Sequence, residues 1–341
     1  MSKNLKIIFL SKSYFPNIGG VEKHIYEISK ILLKKGYSVS IITEESGNNN
    51  LPKELELKGL KIYRIPVGNN NWFKKFRIWK WIWSNKQLFL DADLTHCHDV
   101  FFWYLPIALI YPLKPVYTTF HGYESYPIKF KAIIYRKIFE YMSNKTICVG
   151  DFMKKWYHAR PDAVIYGGVH IPKKFIKPQK NTAIFIGRLD EHTGIDVYVE
   201  AVQLIRKKIP DFSLTVYGEG PLGEKIKGPG IILKGYDPDA DKEIQKYEFA
   251  FVSRYLAILE AMAAKRQVFA IYDNPVKKDY LMMTPYNNLI RVVGSAFQLA
   301  KMLIGLKNKK QIEDQGFNLV QNLTWLKIVQ EYETLWSTRV I

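Results

Sequence analysis

The chain opens on a short unbroken apolar run, Leu5 to Leu10, the pattern of a central parallel strand covered on both faces. A loop with Pro16, Gly19 and Gly20 follows. Val21, Ile25, Ile28, Leu32 and Leu33 then recur at helical spacing, and Gly36 stands where a helix C-terminal cap belongs. Tyr37 to Thr43 reads as the next strand, which makes a strand–helix–strand unit with the right-handed crossover that parallel strands require. The alternation continues with strands at Leu60–Ile65, Leu94–Cys97, Val116–Phe120 and Lys145–Val149, and helical stretches near 72–88, 128–142 and 151–158. It pauses at Gly167-Gly168, where Pro172, Lys173, Lys174, Lys177 and Pro178 make a basic, proline-punctuated connection. A second alternation follows, with strands at Ala183–Ile186, Leu214–Tyr217, Ile231–Leu233, Phe249–Val252 and Val268–Ile271. Helices are predicted at 194–208, 238–247 and 256–264, and the tail from Ala296 is largely helical. Two consecutive α/β halves joined near residue 170 are the simplest reading. Open parallel sheets bind ligands beyond the carboxyl ends of their strands, so a cleft between two such domains is the expected site.

Length agrees: 341 residues at about 150 per domain make two domains. Lys plus Arg outnumber Asp plus Glu by 50 to 32, a net charge of +18, which predicts attraction to nucleic acid, an acidic membrane or phosphorylated small molecules. The two cysteines, Cys97 and Cys148, exclude a disulfide scaffold and a cysteine-based zinc site, and fit a reducing compartment. The longest uncharged run, Val100 to Leu113, has 14 residues and two prolines, short of the roughly 20 needed to span hydrocarbon, so a buried helix is expected there. The apolar stretch Ile7 to Leu10 is too short for a signal-peptide core. A cytoplasmic protein is the expectation.

Several strand ends carry candidate chemistry. Gly19-Gly20 lies between the first strand and helix, where the backbone can approach a ligand and the helix N-terminus can meet an anion; a plain tight turn is the alternative. Arg188, leaving the strand Ala183–Ile186, can hold a diphosphate bidentately or be an ion-paired surface residue. Gly218 belongs to a further glycine-rich turn after a strand. Glu260 is the one charged residue in the apolar helix Leu256 to Ala264, where it can accept ribose hydroxyls or a structural ion pair. Asp91-Ala92-Asp93 and His96-x-His98 have the look of metal ligands, but no further ligands cluster near them in sequence, and no metal is expected.

The ordered set G-G-V-E-x-H, T-x-H-G, G-R-L-D-x-x-x-G-I-D, V-x-G-E-G-P and L-E-A-M-A resembles glycosyltransferase family 4, over nearly the whole chain. The resemblance implies a GT-B fold: an acceptor-side Rossmann-like domain over 1–168, a nucleotide-sugar-binding one over 169–322, and a closing helix over 323–341 that returns to the first. It implies a retaining hexosyltransferase that needs neither cofactor nor metal, with a nucleotide sugar as co-substrate and a glycan or lipid-linked acceptor. By the same resemblance His121 meets the sugar, Gly19, Gly20, Arg188 and Leu256 the diphosphate, and Glu260 the ribose, with Thr193 and Gly218 as further donor-side positions. Two departures stand out. Thr193 occupies the place of a usual lysine. Val252 occupies that of a usual glutamate, and the string Ser253 to Glu260 reads as though the E-G-F-G that follows S-R-Y in the family were absent.

The stretch Trp72 to Lys86 has the composition of an interfacial helix. Trp72, Phe76, Trp79 and Trp83 fall on one face, and Lys74, Lys75, Arg77 and Lys80 occupy much of the rest. The alternative is an ordinary helix with its aromatic face on the core. The lipid reading adds an anionic membrane surface as partner and a peripheral place at the inner membrane. Two other functions stay open: a non-catalytic nucleotide-sugar or glycan-binding protein, and a DNA-modifying glucosyltransferase, although nucleic acid is not the expected partner.

Overall fold

The computed structural model describes residues 5–16, 19–45 and 51–337. They form two compact units, one of Met1–Ile165 with Trp325–Ile341, the other of Tyr166–Thr324. The sequence expectation divided the chain after 168 and began the closing helix at 323; its last positions, 338–341, lie outside the described residues.

The first unit runs β1 (Lys6–Ser11), α1 (Gly20–Lys34), β2 (Ser38–Glu44), β3 (Glu54–Leu57), β4 (Leu60–Ile65), α2 (Lys74–Ser84) and α3 (Lys86–Asp91). It continues with β5 (Leu94–His98), α4 (Phe101–Ile110), β6 (Val116–Phe120), α5 (Phe130–Met142), β7 (Lys145–Val149), α6 (Phe152–Trp156) and β8 (Ala163–Ile165). The sheet order is β3-β4-β2-β1-β5-β6-β7-β8, parallel throughout except for the β3–β4 hairpin. Alternation along β5 sorts its side chains. Cys97 joins Ile78, Ile82, Phe101 and Tyr104 in the core under α2 and α4, while His96 and His98 turn to the other side.

The second unit runs β9 (Gln179–Ile186), α7 (Ile195–Arg206), β10 (Ser213–Tyr217), β11 (Ile231–Gly235), α8 (Ala240–Glu243) and β12 (Tyr247–Phe251). It closes with α9 (Tyr255–Ala263), β13 (Gln267–Ile271), α10 (Pro275–Met282), β14 (Arg291–Val293), α11 (Ala296–Ile304) and α12 (Lys309–Val320), in a six-stranded sheet of order β11-β10-β9-β12-β13-β14. Phe185, Phe249, Phe251 and Phe269 fill its core against Tyr198 and Ile205 of α7. The last helix, α13 (Trp325–Ser337), belongs to the first unit, where Glu333 takes Lys35 Nζ at 2.5 Å and the Tyr37 hydroxyl at 2.7 Å.

The expectation of a buried helix over 100–113 needs correcting. Phe101, Trp103, Tyr104 and Ile107 are buried, but Leu109, Ile110 and Leu113 are exposed, because α4 turns only one side to the sheet.

Candidate functional site

In the first sheet the chain leaves β1 toward β2 and leaves β5 toward β6, so strand order reverses between β1 and β5. Open parallel sheets bind ligands beyond the strand ends at such a point. The residues leaving β5 and β6 there are Asp99 and His121, and a pocket of about 510 Å³ opens beside them, walled by Phe120, Tyr135, Arg136 and Phe139. The His121 backbone N–H donates to Asp99 Oδ1 at 2.9 Å, and its Nε2 lies 2.8 Å from His98 Nδ1. Behind them, His24 Nε2 is 2.9 Å from the Tyr332 hydroxyl, which is 2.9 Å from Thr119 Oγ1, itself 2.8 Å from His96 Nε2. Trp336 Nε1–H donates to His96 Nδ1 at 3.1 Å. A neutral imidazole has one donor and one acceptor, so His96 carries its proton on Nε2 and donates to Thr119. Burial holds His24, His96 and His98 well below the ordinary 6.5. Burial, helped by the charge of Arg136, takes His121 down to about 3.

Asp99 has a left-handed backbone, φ 62°, rare outside glycine. Its side chain is open to solvent at the pocket's edge, yet the protein packed around it raises its carboxyl to about 6; Arg136 and the His121 N–H pull the other way, and Glu124 adds to the rise. Among the described residues Oδ2 has no hydrogen-bond partner, whereas Oδ1 has the His121 amide. Arg136 is buried between the rings of Tyr157 and Phe120, 3.9 and 5.2 Å from their centroids, and bonds the Gly122 carbonyl and Glu124 Oε1. It thereby pins the segment that follows His121.

Gly19 and Gly20 open α1, but a carboxylate already serves that helix end: Glu22 Oε2 accepts the Gly19 N–H at 2.9 Å. A Cβ on Gly19 would sit 2.7 Å from that oxygen, while Gly20 has open space beside it. The expected role of this turn in holding a diphosphate thus competes with a built-in cap.

In the second sheet order reverses between β9 and β12. Arg188 follows β9 and is exposed, with Nη2 3.2 Å from Asp190 Oδ2. Thr193 is turned inward, its hydroxyl donating to the Asp190 carbonyl at 2.7 Å. Gly218, at φ 145°, passes so close to Gly187 that any Cβ would run into the Gly187 carbonyl oxygen; it shapes the Arg188 turn. On the other strand, β12 joins α9 through only Val252, Ser253 and Arg254. Val252 is buried, and Ser253 is locked by the Tyr198 hydroxyl at 2.7 Å, the Ile271 N–H at 3.0 Å and the buried Lys277 ammonium on its carbonyl. The link is short and anchored, and it carries no carboxylate. Leu256 lies in the first turn of α9, and Glu260 is half-buried a turn further on.

The Trp72–Lys86 stretch divides into two sets. The core face of α2 is Ile78 and Ile82; Trp72, Phe76 and Trp83 are 72%, 49% and 40% exposed. Trp79 is different: its Nε1–H donates to the Phe102 carbonyl at 2.9 Å, and its ring lies 4.7 Å from that of Phe102. Lys74 pairs with Glu44 at 2.7 Å, and Arg77 ties down the Val67 and Asn69 carbonyls. Trp79, Lys74 and Arg77 are structural, while Lys80 stays exposed and Lys75 lies over the Phe102 ring.

Of the metal-like strings, Asp93 Oδ2 accepts the Lys6 N–H at 2.8 Å and Asp91 accepts from Gln87, and the histidines are spent on the cluster above. Among the described residues no three His, Cys, Asp or Glu side chains are grouped to hold a metal. The sequence reading contained His24 in the G-G-V-E-x-H string but gave it no role, and it missed Asp99 and Arg136; the signal for Asp99 was that it directly follows His96-x-His98 at a strand end.

Two Rossmann-like parallel sheets in succession, each reversing order at a motif-bearing strand end, define the GT-B fold. The family profile described as Glycosyltransferase Family 4 matches residues 18–172, and that described as Glycosyl transferases group 1 matches residues 180–277. The chain belongs to glycosyltransferase family 4. It is 26% identical over 239 residues to a subunit of the human phosphatidylinositol N-acetylglucosaminyltransferase, covering 63% of this chain and 48% of that protein. It is 24% identical over 363 residues to the phosphatidyl-myo-inositol mannosyltransferase of Mycobacterium leprae, covering 94% and 93%. Several of the curated relatives it matches are thus spanned over only about half their length. The structure of HepE from Anabaena in complex with UDP and glucose superposes with a TM-score of 0.70 at 13% identity, over 98% of this chain and all of that one.

Proposed function

We propose that the protein is a retaining glycosyltransferase that moves a sugar from a nucleoside-diphosphate donor to a hydroxyl of a lipid-borne polyol. The observation that carries this reading is that the family's motif residues stand where strand order reverses in each sheet: His121 beside Asp99 in one, Arg188 and the start of α9 in the other. Arg188 and the free amide ends at Leu256 bind the diphosphate and stabilise the charge it gains as the sugar–phosphate bond breaks. Glu260 takes the ribose. His121, neutral in its buried cluster, faces the sugar, and Asp99 Oδ2 accepts a hydrogen bond from an acceptor hydroxyl in the pocket. The acceptor oxygen bonds to the sugar carbon, the old bond's electrons leave with the diphosphate, and the hydroxyl proton goes to the departing phosphate. A diphosphate donor is supported by the UDP in the HepE structure, and an inositol-lipid acceptor by the names of the human and mycobacterial relatives. The exposed aromatics of α2 suit a peripheral protein at an anionic bilayer.

One observation favours a second reading, a nucleotide-sugar binder without turnover: neither Thr193 nor Val252 supplies the charged group the family uses there. A panel of nucleotide sugars separates the two. Transfer or donor hydrolysis is expected, and His121→Ala should lower it far more than it lowers nucleoside diphosphate binding. Tight nucleotide binding with no turnover on any donor would leave the binder.

A further inference from the structure

Helix α5 is amphipathic in the wrong sense for water. Phe130, Ile134, Ile138 and Tyr141 follow one another at helical spacing and are 74%, 42%, 44% and 90% exposed. They form an apolar stripe along the whole outer side of a 13-residue helix, widened by Tyr135 at 51%. A stripe of this length, in which the only interleaved charges are the basic Lys131 and Lys137, marks a contact surface rather than scattered exposure. The inner side of the helix is fixed by Arg136 in its aromatic sandwich and by Phe139, whose ring stacks on that of Phe101 of α4 at 5.0 Å. The neighbouring α4 ends in the exposed Leu109 and Ile110, with Leu113 96% exposed just beyond.

Charge says what covers the stripe. Lys129 and Lys131 flank its start, and the helix has a single acid, Glu140, which is turned onto Lys137 at 3.0 Å and the Arg160 N–H at 2.9 Å. A second copy would bring the same lysines on a chain of net charge +18, whereas an anionic bilayer complements both the apolar stripe and its basic border. We infer that α5 is a lipid-contacting helix in its own right, separate from α2, seated in the headgroup zone of an anionic membrane. The same helix walls the pocket beside His121 through Lys131, Tyr135, Arg136 and Phe139. Seating it on the bilayer therefore sets the mouth of that pocket at the lipid surface, where a headgroup enters without leaving its membrane. The inference rests on the proposed lipid-borne acceptor.

The test uses the full chain and vesicles of phosphatidylcholine with phosphatidylglycerol, read by co-sedimentation. The variant Ile134→Glu/Ile138→Glu should partition about tenfold less or weaker still, with parent-like thermal unfolding and unchanged nucleoside diphosphate binding. Tyr141→Ser, a milder change at the most exposed position, should show a smaller loss in the same direction. Vesicle binding that both variants leave intact overturns the inference. So does a parent that sediments as a dimer and becomes monomeric in the double variant, which makes a second copy the occupant. A parent that docks through α5 but turns over no donor sinks the transferase reading and leaves this one standing; turnover without any effect of α5 on docking does the reverse.

Discussion

In the proposed transferase, Arg188 is the residue on which donor binding should turn. It is exposed and, among the described residues, held only by Asp190, 3.2 Å away, so its guanidinium is available to a phosphate and little of the fold depends on it. Arg188→Ala is expected to weaken nucleoside diphosphate binding by about 1.5–3 kcal/mol, the range of a charged hydrogen bond, with no change in melting temperature. Isothermal titration of parent and variant checks this, and equal affinities would make Arg188 a surface residue. Its position was legible, because a charged residue ending an apolar strand in such a fold has few places to go. Asp99 was not. Its importance comes from a left-handed backbone and from an amide donated by a residue 22 positions away, and neither leaves a trace in local composition. The strand histidines were legible only as a pair on one face; their partners, Thr119 and His121 of the next strand's end and the Trp336 indole 240 residues on, are brought to them by the fold.

At the level of elements, the long helices and central strands follow from periodicity, since each buries one stripe or both faces. What escaped was short or at an edge: β3, β8 and β14, of four, three and three residues, hold too few side chains to show a pattern. The aromatic helix α2 was recognised, but its faces were not. Periodicity grouped Trp79 with Trp72, Phe76 and Trp83, whereas the fold gives Trp79 a carbonyl partner on α4 and leaves the other three outside. The two sets should separate by mutation. Trp72→Ala/Trp83→Ala should weaken binding to anionic vesicles with unfolding unchanged. Trp79→Ala should cost roughly 2–3 kcal/mol of stability, somewhat less than a fully buried tryptophan. Denaturant unfolding beside vesicle sedimentation reads both; if the exposed pair proves as destabilising as Trp79, α2 has no lipid face.

For the molecule as a whole, the buried histidines tie stability to pH. His24, His96 and His98 are 1–2% exposed and held neutral well below 6.5, so the unfolded chain binds protons that the native state refuses. Stability is therefore full above the unfolded value and is lost as pH falls from 6.5 toward the depressed native values. With His121, lowered to about 3, four such groups give a slope of up to about 5.5 kcal/mol per pH unit. Asp99, raised to about 6, acts with the opposite sign between its unfolded value and that pH, and blunts the slope there. Urea unfolding between pH 8 and 5 should show the decline, and His96→Gln should flatten it; a flat profile in the parent would mean that these rings titrate freely.

The closing helix has a consequence for how the protein is made. Because α13 supplies Trp325, Tyr332 and Trp336 to the unit begun by β1, a ribosome must finish the whole second unit before the histidines can be enclosed. At roughly 5–20 residues per second, the nascent N-terminal sheet waits several seconds or longer with the part of one face beside α1 uncovered, a natural client for a chaperone. A premature stop at codon 325 itself would yield a product with the whole second unit and an unfinished first one.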